Sequence, residues 1–158
     1  MRKLTIRFAA AVALAAVPAT SLQASCWSDA AVSAAQIRDM ETMLMVSSLR
    51  CRGVGNTMIA DYNRFVSQSR AALVQVNETL RAHFLPQGGL NAYDRYVTAV
   101  ANRYGGGADG LSCDDMASFL SAANAERGSH EGLARLASVA GVDPILPGSR
   151  CTVRFAAK

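Results

Sequence analysis

Several features that identify common classes of protein are missing from this sequence. It has no hydrophobic run of the roughly 20 residues that a membrane-spanning helix needs, and Pro18 ends its apolar stretch at residues 8–17. It has only two histidines, His83 and His130, and no G-x-S-x-G motif around a serine nucleophile. It shows no internal repeat and no low-complexity segment. These absences argue against a membrane-spanning protein, a repeat protein and a hydrolase of the nucleophile-elbow type.

The first 24 residues have the pattern of a cleaved export signal. Three basic side chains precede a short apolar middle, and small or polar residues follow it. Cleavage after Ala19 is an alternative to cleavage after residue 24. Lipid anchoring through Cys26 is disfavoured, because Gln23 stands where acylation requires a branched apolar residue. We therefore predict an export signal at 1–24 and a periplasmic or secreted single helical domain at 25–158.

The net charge gives no reason to expect a nucleic-acid partner. The whole chain carries 16 basic and 12 acidic side chains. The signal holds three of the basic ones and none of the acidic ones, so the mature chain has 13 basic against 12 acidic side chains. A basic pI that comes mostly from the signal does not predict binding to nucleic acid or to an anionic membrane.

Four cysteines in an exported chain predict two disulfides. Zinc is disfavoured because no two cysteines have ligand spacing and neither histidine is near one. If residues 29–50 are helical, Cys26 and Cys51 lie roughly 35 Å apart, far beyond the about 7 Å that a disulfide allows between Cα atoms. Two pairings remain, and an up–down path of the helices favours Cys51–Cys113 together with Cys26–Cys151.

Apolar residues at helical spacing predict an all-α fold of four main helices in an up–down, bundle-like arrangement. The first helix begins at Ser28 or Asp29, and its apolar second half predicts a central, buried position. Ser112 and Asp115 form the pattern of a capping box at the start of the fourth helix. The predicted helices cover 29–50, 57–84, 90–104 and the residues after 112, with a short further segment at 131–140 and an irregular tail tied back by Cys151.

A methionine cluster is the strongest sign of a metal in the sequence. Met40, Met43 and Met45 carry thioethers, which suit Cu(I), but on one helix they point in different directions. Methionine also fills irregular gaps in protein cores. Core packing is therefore the favoured interpretation, and we expect no metal and no cofactor.

Two further groups of residues are candidates for a site. His83 lies on the inward face of the second predicted helix, but a general base needs a nucleophile or an acid within reach, and a helix-end histidine that bonds a carbonyl is the favoured interpretation. A polar cluster could form where the second and third predicted helices meet, from Asp61, Tyr62, Asn63 and Arg64 on one and Asp94 and Arg95 on the other. A structural lock or a solvated face is the favoured interpretation, and a site for a small polar ligand is the alternative. The glycines at 105–107 lack the lysine of a phosphate loop and predict a flexible connection.

Two segments resemble a family of short exported proteins of Gram-negative bacteria without a characterised activity. These are MLMVSSLRC at 43–51 and NAYDRYV at 91–97, together with the late cysteines. The resemblance implies a periplasmic location and assigns no catalytic residue.

The sequence therefore predicts a protein that is not an enzyme. The leading hypothesis is a structural or protein-interaction module with an unknown protein partner. The alternative is a binder of a small apolar ligand, in a cavity between the first two predicted helices lined by methionines and tyrosines. A hydrolase that uses His83 is a weaker hypothesis.

Overall fold

The computed structural model describes residues 26–53, 57–108 and 110–152. These residues form six α-helices and, apart from an isolated bridge between Trp27 and Arg150, no β-structure. The predicted signal at 1–24 lies outside the described residues. The helices are α1 (Asp29–Arg50), α2 (Met58–Gln68), α3 (Arg70–Phe84), α4 (Gly89–Tyr104), α5 (Cys113–Ala125) and α6 (His130–Val139).

Helix α1 is the centre of the fold, as its apolar pattern predicts. The Ser28 hydroxyl accepts a hydrogen bond from the Ala31 amide and caps the first turn. Buried side chains occur on all sides of the helix, and α1 packs against each of the other five helices. Side chains such as Ile37 and Leu44 are fully buried. The core is therefore built around one helix, with the others arranged about it.

The prediction of one continuous helix over residues 57–84 was wrong. The structure has two helices there, α2 and α3, with a break at Ser69. At the break, Gly128 approaches the chain so closely that a Cβ atom on it would lie 2.1 Å from the carbonyl oxygen of Gln68. The absence of a side chain at Gly128, which has a φ of +75°, allows this contact. The described residues thus form six α-helices, where the sequence predicted four main helices and one short segment.

The start of α5 follows the predicted capping box. The Ser112 hydroxyl accepts a hydrogen bond from the Asp115 amide, and the Asp115 carboxylate accepts one from the Ser112 amide. The short segment predicted at 131–140 forms α6, which the Ser129 hydroxyl caps through the amide of Gly132.

Two disulfides join distant parts of the chain. Cys26 is bonded to Cys151 and Cys51 to Cys113, the pairing that the sequence analysis favours. The first bond ties the irregular segment after α6 to the start of α1. The second ties the end of α1 to the start of α5. In the part of the chain that the structure describes, no helix is long and apolar enough to span a bilayer.

Candidate functional site

Three charged side chains lie in the middle of α1, where the sequence analysis predicted only a buried apolar helix. Asp39 is fully buried and Glu41 nearly so. Arg38 forms an ion pair with Glu41 at 2.6 Å. Charged side chains in a buried helix require polar partners. The presence of Arg38, Asp39 and Glu41 in a helix predicted to be central is therefore the sequence signal for a polar network.

Helices α2 and α3 supply partners for Glu41 and Arg38, and α4 joins the network through Asn77. The Tyr62 hydroxyl donates to Glu41 at 2.6 Å, and burial, followed by the Glu41 carboxylate, raises the pKa of Tyr62, so this hydroxyl keeps its proton. The Asn77 side-chain oxygen accepts hydrogen bonds from Arg38 and from the Tyr93 hydroxyl. The network connects four helices and acts as a structural lock.

The lock differs from the polar cluster that the sequence suggested. Asp61 pairs with Arg64 on the surface of α2, and Asp94 and Arg95 are exposed on α4. Of these residues only Tyr62 joins the network. It does so through Glu41 on α1, a helix that the prediction did not place in the cluster.

Asp39 has a separate set of partners on α4. Its carboxylate accepts a hydrogen bond from the Tyr104 hydroxyl and lies 3.4 Å from the Arg103 guanidinium. Burial raises the pKa of Asp39, and the Tyr104 hydrogen bond and the Arg103 charge offset this rise only in part. The folded protein therefore holds the proton of Asp39 more tightly than the unfolded chain does.

This difference predicts a pH dependence of stability. Because the pKa of Asp39 is higher in the folded state, its contribution to stability is fully present below its usual pKa of 3.8 and is lost as the pH rises through the folded-state value. Asp39→Asn keeps an oxygen for Tyr104 and cannot ionise. We expect the variant to lack this loss, so that its stability relative to the wild type increases with pH. Urea unfolding followed by circular dichroism between pH 3 and 8 measures the difference. Parallel stability curves for the wild type and Asp39→Asn would show that Asp39 does not titrate differently in the two states.

Arg103 and Tyr104 also form part of the wall of a cavity of about 370 Å³. The cavity lies between α1, the end of α4, α5, the residues Gly107, Ala108 and Leu111, and the segment 140–143. Its large apolar side chains are Met43, Leu111, Phe119 and Val142. Its charged side chains are Arg103, Asp115 and Asp143. This combination of an apolar interior with a few polar groups is typical of small-molecule sites.

The glycine segment after α4 forms one side of this cavity. Arg50, in the last turn of α1, donates a hydrogen bond to the Gly105 carbonyl at 2.8 Å. Gly107 has a φ of +114°, and a Cβ atom there would meet the Arg50 guanidinium at 3.4 Å. The sequence analysis interpreted this segment as a connection, whereas its backbone and Leu111 help to enclose a cavity.

Other residues singled out in the sequence lie apart from the cavity or in the core. The His83 ring stacks on Trp27 with centroids 3.9 Å apart, and its Nε2 lies 3.0 Å from the Gln87 amide. Burial lowers the pKa of His83, and within the described residues no serine or carboxylate forms a hydrogen bond with it. Met40 is buried in the core and Met45 is partly exposed. Among the described residues no group of three histidine, cysteine, aspartate or glutamate side chains is arranged to hold a metal.

The cavity differs in place from the one that the sequence suggested. It does not lie between the first two predicted helices, although a methionine and a tyrosine do line it. Comparisons of the chain with protein-family models, curated proteins and solved structures found no significant match.

Proposed function

We propose that this protein is a non-enzymatic binding module that holds one small, largely apolar molecule in the cavity between α1, α4 and α5. The observation that carries the proposal is the cavity itself. Its volume of about 370 Å³ lies at the lower end of the roughly 300–1,000 Å³ typical of ligand pockets. A molecule of about ten non-hydrogen atoms suits such a space.

The polar groups at the wall support binding without a chemical step. Arg103 is paired with the buried Asp39 and donates to the Asp143 carbonyl at 2.6 Å. Hydrogen bonds from the Ser112 hydroxyl and amide hold the pKa of Asp115 below its usual value. The Asp115 carboxylate is thereby engaged in the cap of α5. These side chains fix the walls of the cavity in place, which favours a preformed site.

The proposed setting is the periplasm or the extracellular space. The pattern of residues 1–24 and the resemblance to short exported proteins support it. The two disulfides also support it, because such bonds persist in oxidising compartments. In this setting the protein would carry or sequester its ligand outside the cytoplasm.

Benzyl alcohol, an uncharged molecule with one ring, is a suitable probe of the cavity. We expect it to shift the amide resonances of Gly107, Ala108 and Gly141 in ¹H–¹⁵N spectra, with a Kd on the order of 1 mM. Leu111 is 49% exposed at the cavity wall, so Leu111→Trp should fill the entrance while leaving the core intact. We expect this variant to weaken binding at least tenfold.

The matched control is Val74→Trp, because Val74 is 47% exposed on α3, which contributes none of the lining residues. Its affinity for benzyl alcohol should stay within twofold of the wild type. Shifts spread over the whole protein, or an equal loss of affinity in both variants, would contradict binding in the cavity.

A helical protein-interaction module is the second candidate function. It is favoured by two exposed leucines near the turn between α3 and α4, Leu85 at 73% and Leu90 at 63% exposure. Such side chains on a rigid helical scaffold suit a protein partner. A cavity that binds no apolar probe would make this the better hypothesis.

A further inference from the structure

Arg103 and Asp143 lie next to each other at one edge of the cavity without forming an ion pair with each other. The Arg103 guanidinium donates to the backbone carbonyl of Asp143 at 2.6 Å, which brings the two residues into contact. Their side chains nevertheless form no ion pair with each other, and the Asp143 carboxylate forms none with any described residue. Both residues line the cavity. One positive and one negative group are therefore available to a single bound molecule.

Arg103 keeps part of its hydrogen-bonding capacity for a ligand. Both of its hydrogen bonds, to Asp39 and to the Asp143 carbonyl, use Nη1. Within the described residues Nη2 and Nε donate no hydrogen bond, and the side chain is 40% exposed. A guanidinium pairs well with a carboxylate, because its planar fork presents parallel N–H groups.

We infer that the cavity takes a zwitterionic amino acid with an apolar side chain. Its α-carboxylate pairs with Arg103, its α-ammonium pairs with Asp143, and its side chain lies against Met43, Phe119 and Val142. An α-amino acid carries its two charges on one carbon atom, which matches two adjacent opposite charges at the cavity edge. The inference rests on the proposed function and specifies the class of ligand.

Four ligands that share one phenyl group separate the contributions of the two charges. They are L-phenylalanine with both charges, phenylpropionate with only the carboxylate, phenethylamine with only the ammonium, and benzyl alcohol with neither. We expect L-phenylalanine to bind the wild-type protein at least tenfold more tightly than either singly charged ligand, as judged by the shifts of the Gly107 and Gly141 amides. Each singly charged ligand should bind no more weakly than benzyl alcohol.

Two variants assign the charges to residues. Asp143→Asn keeps the backbone carbonyl that holds Arg103 and should reduce the affinity for L-phenylalanine to that for phenylpropionate. Arg103→Gln should reduce it to that for phenethylamine. Asp114→Asn is the matched control, because Asp114 is exposed in the first turn of α5 and does not line the cavity. It should leave all four affinities within twofold.

The ligand series on the wild-type protein decides the inference even if a variant folds poorly. Equal affinity for L-phenylalanine and phenethylamine, or for L-phenylalanine and phenylpropionate, would overturn it. If benzyl alcohol binds in the cavity and L-phenylalanine does not, the proposed function stands and the zwitterion assignment fails. If none of the four ligands shifts the cavity resonances, both fail.

Discussion

Replacing Cys26 and Cys151 with serine should lower the free energy of unfolding by about 5 kcal/mol. The disulfide joins residues 125 positions apart. Closing a loop of that length lowers the conformational entropy of the unfolded chain and so raises its free energy by about 5 kcal/mol. Small domains are stable by only about 5–15 kcal/mol in total, so the loss is a large fraction of the whole. Guanidinium unfolding followed by circular dichroism at 222 nm measures it.

Replacing Cys51 and Cys113 with alanine provides a comparison that tests the mechanism. That bond joins residues 62 positions apart, and the same relation gives about 4 kcal/mol. The smaller loss for the shorter loop is the expected order. If removing the Cys26–Cys151 bond costs less than about 1 kcal/mol, the tail after α6 does not contribute to the stability of the folded domain.

The parts of the fold that local sequence determines were predictable. A helix begins where Ser28 or Ser112 supplies a capping oxygen, and the structure has helices beginning there. The position of α1 at the centre was visible in its apolar circumference. The length of one rigid helix excluded a Cys26–Cys51 bond, and the choice between the two remaining pairings came from the expected up–down path of the helices.

The break at Ser69 depends on a residue far away in the sequence. The seven-residue repeat continues across positions 57–84 and is interrupted only by polar Ser69 and His83, and one polar residue on the stripe does not by itself predict a break. The backbone of Gly128 approaches Gln68 from another part of the chain, and only the folded arrangement shows the contact. Periodicity placed the apolar face of α3 correctly, at Leu73, Val76 and Leu80. In α2 it was wrong, because Met58 and Phe65 are buried there and the predicted Ile59 is exposed.

The cavity could not be predicted because its wall comes from separated segments. Met43, Arg103, Phe119 and Val142 lie on four parts of the chain, and no short motif contains them. The glycines before Leu111 were interpreted as a connection, since glycine permits many backbone conformations. Gly107 nevertheless lines the cavity. A hydrogen bond from Arg50 to the Gly105 carbonyl, across 55 positions of the chain, holds this segment against the end of α1.

The charges within α1 carried a signal that the sequence analysis left unused. A helix predicted to be buried on all sides contains Arg38, Asp39 and Glu41, and each must have a partner in the folded state. The identity of these partners was not accessible, because Tyr62, Asn77 and Tyr104 lie on three other helices. The requirement for a polar network was predictable, and its geometry was not.

Trp27→Ala should lower the free energy of unfolding by about 4 kcal/mol, within the 3–5 kcal/mol found for removing large buried aromatic rings. Trp27 is 1% exposed, and its ring stacks on His83 and contacts Phe84 and Tyr96. Trp27→Phe keeps an aromatic ring but loses the hydrogen bond from the indole N–H to the Pro147 carbonyl at 2.9 Å. We expect its stability to lie between those of the wild type and Trp27→Ala. Circular dichroism is the appropriate measurement, since the chain has a single tryptophan and fluorescence would be lost.

Leu85→Ala is the control for this prediction, because Leu85 directly follows Phe84 and is exposed, so its loss should change stability by less than about 0.5 kcal/mol. The backbone of Trp27 also donates to the Ser149 carbonyl and accepts from the Cys151 amide. The ring and the Cys26–Cys151 bond therefore hold the same segment against α1. Because either change alone already loosens that segment, the combined loss should be smaller than the sum of the two separate losses. Strict additivity would show that Trp27 stabilises the helices alone and that the disulfide positions the tail independently of it.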